Sequence, residues 1–297
     1  MFILNLLSIF LPLITAIKFD FSLNYRLEDD PRPRRFLAGS IIPEDLENAT
    51  EISLDQKVPI VLRSFDLSFV KNLKKLSMDD SGINEIEIGS FKHLDGLRYL
   101  NITNNPLKVI KEGIFNNMKV EVLNLSRNKL TTINPGAFDD MENLQRVILD
   151  YNELTSYSIW FKSCSKLVEV SVQYNFIQYL PQGVFQYLKH RKLKARFSFN
   201  KINTIHEDLF DVEEYDELDI DHNDLTNFDK EISKVGILNL QHNHIECLPE
   251  DYAKKEFKKV KTVRLEDNPM NCSCLGYLKA MANVVASGCV ENEHTSI

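Results

Sequence analysis

The feature that most constrains this chain is an eleven-residue pattern, L-x-x-L-x-L-x-x-N-x-L, that returns at a nearly constant pitch. Clear copies lie at residues 97–107, 120–130, 144–154, 167–177, 215–225, 235–245 and 260–270. Weaker copies lie at residues 192–202 and 73–83, and an eroded first copy begins at Ala49. The pattern's Asn positions, residues 105, 128, 152, 175, 200, 223, 243 and 268, are 20 to 25 residues apart. The pitch predicts about ten stacked units over residues 49–270.

Each unit alternates apolar and polar residues, which is typical of a short strand with one buried face. No single unit can bury that face, so stacked neighbours must complete one continuous core. The repeated Asn carries both donors and an acceptor, which can satisfy backbone groups in the turn after each strand. Phenylalanines that recur before the strands are expected to pack the opposite, convex side; they are Phe91, Phe115, Phe138, Phe161, Phe185 and Phe210. These features predict an α/β repeat solenoid with a parallel β-sheet on its concave face.

The pattern and its pitch resemble those of the leucine-rich repeat family over residues 49–270. The resemblance implies a horseshoe-shaped solenoid. The segment N-P-M-N-C-S-C at residues 268–274 also resembles the start of the cysteine-rich C-terminal cap of extracellular leucine-rich repeat proteins. It implies a disulfide-bonded cap over residues 271–297, although the second downstream cysteine of that cap is missing here.

The five cysteines suggest two disulfides and one unpaired thiol. Cys247 and Cys272 each lie four residues after a repeat Asn, so they are expected one strand spacing apart, within disulfide reach. We therefore predict Cys247–Cys272 and Cys274–Cys289. The exchanged pairing, Cys247–Cys274 with Cys272–Cys289, remains an alternative. Cys164 replaces an apolar repeat residue, so it is either a buried free thiol or an interchain link to a covalent partner.

Metal-ligand residue types are found together at His242, His244 and Cys247. The two histidines occupy variable positions beside a repeat Asn, and no carboxylate or third His is fixed at the same place. We therefore predict neither a metal nor a cofactor. The sequence also lacks G-x-S-x-G, H-E-x-x-H and a phosphate-binding glycine loop, which argues against an enzyme.

The position before each repeat Asn should face solvent beside the concave sheet. It reads Asp80, Asn104, Arg127, Tyr151, Tyr174, Phe199, His222, His242 and Asp267. Five successive rings predict a partner-binding stripe, because aromatic side chains on a rigid sheet are typical interface anchors. Asp219 and Asp221 add an acidic patch that would favour a basic partner. The alternatives are rings packed under the following loop and acids neutralised by Lys194 and Arg196 of the preceding repeat.

The N-terminal region carries processing and modification signals. The apolar run from Phe2 to Ile17 is short for a spanning helix, so residues 1–16 are predicted to be a signal peptide. Arg32, Arg34 and Arg35 form an R-x-R-R processing pattern, which makes residues 17–48 a pro-segment or N-terminal cap. Asn48, Asn101 and Asn124 are predicted glycan acceptors. No later segment suggests a membrane anchor, so a secreted, extracellular protein is expected.

These features predict a secreted module that binds another extracellular protein through its concave or flanking face. The net charge of −8 gives no reason to expect nucleic acid. The compact cap, secretion and lack of an anchor resemble insect-type leucine-rich immune proteins, which implies an innate-immune scaffold or recognition factor in body fluid. No heptads follow Cys289, so a coil-less member fits. The alternative is an adhesion- or guidance-type ligand for a cell-surface receptor.

Overall fold

The computed structural model describes residues 22–290, apart from 31, 38–39, 41–42, 55–56, 58–59, 65, 69, 189–191, 211–213 and 233. The predicted signal peptide lies outside the described residues. Within the described residues the chain forms a solenoid around one thirteen-stranded sheet, with three two-stranded sheets on the opposite side.

The strands are short, as expected when each repeat adds one strand and then turns. They are β1 (Leu23–Leu27), β2 (Arg34–Phe36), β3 (Ala49–Leu54), β4 (Ile60–Leu62), β5 (Lys75–Ser77), β6 (Ile83–Ile86), β7 (Tyr99–Asn101), β8 (Val109–Ile110), β9 (Val122–Asn124), β10 (Thr132–Ile133), β11 (Arg146–Ile148), β12 (Glu169–Ser171), β13 (Tyr179–Leu180), β14 (Lys192–Arg196), β15 (Thr204–Ile205), β16 (Glu214–Asp219), β17 (Lys234–Asn239), β18 (Val260–Arg264) and β19 (Val284–Val285). Two α-helices, α1 (Glu250–Glu256) and α2 (Cys272–Lys279), lie near the C-terminus. Short 3₁₀ helices occupy Glu44–Asn48, Glu207–Phe210 and Phe257–Lys259.

The large sheet confirms the predicted fold and register. Its order is β19-β18-β17-β16-β14-β12-β11-β9-β7-β5-β3-β1-β2, and from β3 onwards every pair is parallel. The inward residue of each repeat pairs with its equivalent in the next, in the series Ile52, Leu76, Leu100, Leu123, Val147, Val170, Ala195, Leu218, Leu238 and Val263. All are at most 2% exposed, within one core that runs from Leu23 to Val284.

Phenylalanines pack the convex side as predicted. The rings of Phe91, Phe115, Phe138 and Phe161 form a buried stack with successive centroids 5.7, 6.0 and 5.4 Å apart. Phe185 is also buried, whereas the side chain of Phe210 lies outside the described part of the chain. The small parallel sheets β4–β6, β8–β10 and β13–β15 complete this side. The Phe stack therefore forms the buried core of the convex side, as the inward strand residues do under the concave sheet.

The repeat Asn side chains tie each turn to the repeat before it. Asn152 donates from Nδ2 to the carbonyl oxygens of Leu125 and Leu149, at 3.0 and 2.9 Å. Its Oδ1 accepts the N–H of Leu130 at 3.1 Å. Equivalent bonds recur at Asn175, Asn200, Asn223, Asn243 and Asn268. Each carboxamide thus satisfies buried backbone groups of two repeats at once.

The N-terminal end of the solenoid is covered by a β-hairpin. β1 pairs antiparallel with β3 on one side and with β2 on the other, and its Leu23 and Tyr25 are buried. The processing pattern lies in this hairpin: Arg34 forms ion pairs with Asp30 and Asp45, and Arg32 pairs with Asp30 at 2.8 Å. Arg35 is exposed within β2. Arg32 and Arg34 therefore also have a structural role. A cut after Arg35 would fall within β2, and processing here stays a prediction.

The C-terminal cap contains two disulfides, and they correct our first pairing. Cys247 is bonded to Cys274 and Cys272 to Cys289, with Cα atoms 5.6 and 4.9 Å apart. The first prediction assumed that Cys272 continues the path of the preceding coil. Instead, Asn271 caps α2 by accepting the Cys274 N–H at 2.8 Å, and the helix begins at Cys272. Residues two apart in a helix point to different sides, so Cys274 turns towards the core and Cys272 away from it.

Cys164 is a core residue. It is 1% exposed, its thiol donates to the Phe138 carbonyl oxygen at 3.3 Å, and burial raises its pKa to about 12. A thiol in this position cannot reach another chain while the repeat is folded. The hypothesis of a covalent partner through Cys164 is therefore wrong for the folded protein.

Candidate protein-interaction surface

The residue before each repeat Asn adopts a left-handed backbone conformation. In all nine repeats from Asp80 to Asp267 its φ lies between 47° and 57°. Asp, Asn and His adopt this conformation more readily than other non-glycine residues, but Tyr and Phe seldom do. Asp80, Asn104 and Asp267 at this position are the sequence signal for a left-handed conformation, which was not predicted. Rings held at such positions need a compensating interaction.

Stacking supplies that interaction. Tyr151, Tyr174, Phe199, His222 and His242 form one continuous pile, which we name the ring column. Successive ring centroids are 4.2, 4.2, 4.0 and 3.9 Å apart, and the rings are tilted by 6° to 28°. Aromatic pairs of this kind contribute about 0.5–1.5 kcal/mol each beyond their buried area. The predicted stripe is therefore an ordered array rather than a row of independent side chains.

Charged groups close both ends of the ring column. The guanidinium of Arg127 lies 4.3 Å from the ring centroid of Tyr151. At the other end, His242 Nε2 lies 3.3 Å from Asp267 Oδ2. The Arg127 guanidinium thus covers the outer face of Tyr151, whereas Asp267 contacts the Nε2 edge of His242.

Solvent reaches the edges of these rings. Tyr151 and Tyr174 are 41% and 38% exposed, although each has a neighbour over its faces. A partner would therefore meet ring edges, tyrosine hydroxyls and imidazole nitrogens at regular intervals along the repeats. Phe199 is partly exposed, and its ring lies between those of Tyr174 and His222.

A second exposed ring extends this surface and was missed from the sequence. Phe176 follows Asn175 directly, is 44% exposed, and has the ammonium of Lys201 5.2 Å from its ring centroid. Lys201 occupies the equivalent position one repeat further on, and Asp224 and His244, two and three repeats further on, form a pair at 3.5 Å. The signal was available, because the position after each Asn also recurs at every repeat.

Asp219 and Asp221 lie beside the ring column at the end of β16. Burial and the neighbouring Asp221 carboxylate raise the pKa of Asp219 to about 7. Burial alone would also raise the pKa of Asp221, but its interactions with Asp219, Ser198 and the His222 imidazole lower it. Near neutral pH the two carboxylates therefore share one proton in part of the molecules, which reduces the negative charge of the acidic site.

The basic strand β14 is aligned with β16 as predicted, since Lys194 pairs in register with Glu217 and Arg196 with Asp219. The contacts differ from that alignment. Arg196 reaches Glu217 at 2.9 Å and also binds Glu169, rather than neutralising Asp219. Arg196 is thus paired with Glu169 and Glu217. The Asp219–Asp221 pair has no Lys or Arg partner among the described ion pairs.

The predicted glycan acceptors lie in the first part of the chain, before the ring column. Asn101 and Asn124 are register partners in β7 and β9, and both line a concave groove of about 570 Å³ with Tyr99 and Lys75. Asn124 Oδ1 accepts from the Ser126 hydroxyl at 2.8 Å, the third residue of its own sequon. Asn48 is exposed at the end of the first 3₁₀ helix. Asn124 lies one repeat before Tyr151, so the acceptors precede the ring column and adjoin its Arg127 end.

Each of the three residues first considered as metal ligands has another partner. His242 stacks on His222, His244 pairs with Asp224, and Cys247 is disulfide-bonded. Within the described ranges no three His, Cys, Asp or Glu side chains come together as metal ligands.

Comparison with known protein families agrees with the repeat geometry. Residues 71–119 and 97–154 match the model for "Leucine rich repeat", and residues 158–242 match "BspA type Leucine rich repeat region (6 copies)". Together the matches span more than half of the 297 residues. The chain is a leucine-rich repeat protein. A comparison with curated protein sequences gave no match.

Solved structures show the same leucine-rich repeat fold. A chain of the mouse RP105/MD-1 complex superposes with a TM-score of 0.67 at 20% identity, covering 79% of this chain and 42% of that chain. A chain of the octameric complex of Latrophilin 3 (Lec, Olf), Unc5D (Ig, Ig2, TSP1) and FLRT2 (LRR) gives a TM-score of 0.55 at 21% identity. That match covers 78% of this chain and 66% of the other. This leucine-rich repeat protein thus spans less than half of the first chain and about two thirds of the second, and the likeness shows the fold alone.

No helix in the described part of the protein is both long and apolar enough to cross a bilayer.

Proposed function

We propose that this leucine-rich repeat protein recognises another protein through the ring column and the neighbouring Asp219–Asp221 pair. The observation that carries the proposal is the unbroken stack from Arg127 to Asp267, which presents ring edges from a rigid frame. Tyr and other aromatic side chains are enriched among the residues that dominate binding energy, and rigid ones lose little entropy on binding. The fold typically serves protein interaction rather than catalysis.

The charge around the column favours a basic partner. Asp150 and Asp221 lie close enough to Tyr174 to act on it, Asp219 adjoins Asp221, and the whole chain carries a net charge of −8. Partial desolvation, the Tyr151 hydroxyl and the Asp221 and Asp150 carboxylates raise the pKa of Tyr174, which favours its protonated hydroxyl, a hydrogen-bond donor. A negative surface of this kind repels nucleic acid and attracts cationic protein segments.

The proposed location is extracellular. Two disulfides in the cap are typical of oxidising compartments, and the predicted signal peptide at residues 1–16 would direct secretion. Glycans on Asn101 and Asn124 would cover the N-terminal groove, and Asn48 would carry its glycan at the end of the first 3₁₀ helix. That would leave the ring column, which begins one repeat after Asn124, as the open part of the concave face.

The setting that we propose is innate immunity in body fluid, on the resemblance of the cap and the chain's organisation to insect-type leucine-rich immune proteins. An adhesion- or guidance-type ligand for a cell-surface receptor is the alternative. Both solved relatives were determined in complexes with other proteins, which supports protein binding in either setting. Induction by infection would favour the first setting, and developmental expression with cell-surface binding would favour the second.

The proposal is tested by replacing two rings without disturbing the turns. Asn suits the left-handed backbone at these positions and is the natural residue at 104, so Tyr151→Asn/Tyr174→Asn should fold. A partner cross-linked to the wild-type protein in native fluid is identified by mass spectrometry, and its Kd is measured by surface plasmon resonance. We expect the double variant to bind about tenfold more weakly or worse.

Tyr187→Asn provides the matched control, because Tyr187 is 48% exposed and lies outside the ring column. It should bind like wild type. Equal affinity of the wild-type protein and the Tyr151→Asn/Tyr174→Asn variant would rule out the ring column as the binding surface.

A further inference from the structure

The end of β16 holds buried polar groups whose hydrogen bonds are incomplete. Asp219 is the last residue of β16 and Asp221 follows it by two residues, and both carboxylates interact with each other and with Ser198. Asp219 Oδ1 and the hydroxyl oxygen of Ser198 are buried, and neither makes a well-directed hydrogen bond. Ser198 is 1% exposed and lies beside both carboxylates. Buried polar atoms without partners are rare in folded proteins, and each needs an explanation.

The charged groups around this site leave it negative. On the side of β14, Arg196 is held by Glu169 and Glu217. On the side of β17 the register partner of Asp219 is Asn239, which is neutral. The other facing groups are Glu217, Asp150 near Tyr174, and His222, whose Nδ1 contacts Asp221. The proton shared by the two aspartates occupies the place that a cation from outside could take.

The protein's own arginines show which cation suits this face. Arg196 bridges two carboxylates from different strands, with Nη1 on Glu169 and Nη2 on Glu217. Arg127 places its guanidinium 4.3 Å from the ring centroid of Tyr151, at the end of the ring column. Asp219 and Asp221 form a carboxylate pair, and Phe199 and His222 of the ring column lie next to it. A guanidinium can bridge carboxylates and lie against rings, whereas an ammonium is a compact point charge.

We propose that Asp219, Asp221 and Ser198 form a socket for an arginine side chain of the protein partner. The inference rests on the proposed protein-binding function and names the chemistry of the partner at one position. The arginine would bridge the two carboxylates and fix the orientation of the neighbouring Ser198 hydroxyl. Its guanidinium would lie against the edge of the ring column at Phe199 and His222. Its entry would displace the shared proton, so binding should be tighter at pH 8 than at pH 6.

The socket is tested with a small probe, N-acetyl-arginine methylamide, on the full chain. Amide NMR signals of residues 219–222 are followed during titration at pH 6 and pH 8, beside the neutral isostere N-acetyl-citrulline methylamide. We expect saturable shifts with the arginine compound, weaker binding at pH 6, and no saturation with citrulline. Asp221→Asn should weaken the arginine compound about tenfold, because it removes a charge-assisted hydrogen bond.

Asp251→Asn is the control, since it removes one exposed carboxylate on α1, outside the ring column and the socket; it should bind the probe within about twofold of wild type. Thermal unfolding of each variant confirms folding. Asp219→Asn, a second variant, should also weaken binding of the arginine compound. Equal shifts with arginine and citrulline, or equal weakening by Asp251→Asn, would overturn the socket.

Partner binding by the variants distinguishes failure of the socket from failure of the proposed function. If Tyr151→Asn/Tyr174→Asn loses partner binding but Asp221→Asn keeps it, the socket is wrong and the ring column remains the binding surface. If both variants keep full partner affinity, the proposed function fails as well.

Discussion

At the scale of single residues, two adjacent positions in each repeat have opposite roles. The Asn turns inward and satisfies carbonyl and amide groups that water cannot reach, as at Asn152. The residue before it turns outward in a left-handed conformation and carries whatever contacts the repeat makes with its surroundings. The first position sets stability, and the second is free to specialise, which is why five rings could accumulate there.

Replacing Asn152 with Ala tests the inward role. The change leaves the Leu125 and Leu149 carbonyls and the Leu130 N–H without partners in a buried turn. We expect a loss of about 1–3 kcal/mol in the free energy of unfolding, measured by denaturant titration. Asn203→Ala, at an exposed position, should change it by less than about 0.5 kcal/mol. An unchanged midpoint for Asn152→Ala would contradict the account of the Asn ladder.

At the scale of elements, irregular pieces are joined to the regular repeats by specific polar contacts. The last residue of α1, Glu256, is 1% exposed, accepts the N–H of Ile232 at 3.0 Å and binds Lys259 at 2.6 Å. Burial alone would raise the pKa of Glu256, but these two contacts outweigh it and lower the pKa to about 2. This carboxylate therefore fastens α1 to the loop that precedes β17.

The lowered pKa of Glu256 gives a pH dependence with a definite sign. Its ionised form stabilises the fold fully above the unfolded pKa of 4.5, and that stabilisation is lost as pH falls towards 2. Glu256→Gln should thus lower the free energy of unfolding by about 2 kcal/mol at pH 7, with the difference shrinking steadily below pH 4. Glu231→Gln, at an 88% exposed side chain, should show little effect at either pH. A deficit in Glu256→Gln that stays constant down to pH 2.5 would exclude this role.

The elements also show how far sequence reasoning extends. The strands, their parallel register and the Phe stack could be predicted, because a periodic pattern repeats the same information many times. The cap pairing was wrong because Cys272 starts a helix, a local event that occurs once and leaves no periodic trace. The β-hairpin of β1 and β2 was not predicted, because the basic residues at 32–35 were interpreted as a processing site. Their ion pairs with Asp30 and Asp45 depend on tertiary structure.

The candidate site was predicted only in part for the same reason. Alignment of the repeats brought the five rings to one line, and the structure places them there. Their stacking distances, the shared proton of Asp219 and Asp221, and the use of Arg196 by Glu169 and Glu217 are properties of packed side chains. Spacing along the chain cannot specify them.

At the scale of the whole molecule, the two ends of the concave face are different surfaces. The N-terminal part is a groove lined by the predicted glycan acceptors Asn101 and Asn124. The central and C-terminal part carries the ring column, Phe176 and the Asp219–Asp221 pair. One stacked array that crosses five repeats can hold a partner only if those repeats keep a rigid register, and the continuous core provides this.

The most direct test of this account is amide hydrogen exchange across the whole chain, alone and with its bound partner. We predict slower exchange on binding in the turns that contain Tyr151, Tyr174, Phe199, His222 and His242, and no change around Asn101, Asn124 or the Phe stack. Protection confined to the N-terminal groove or to the convex side would contradict the claim that the ring column is the recognition surface.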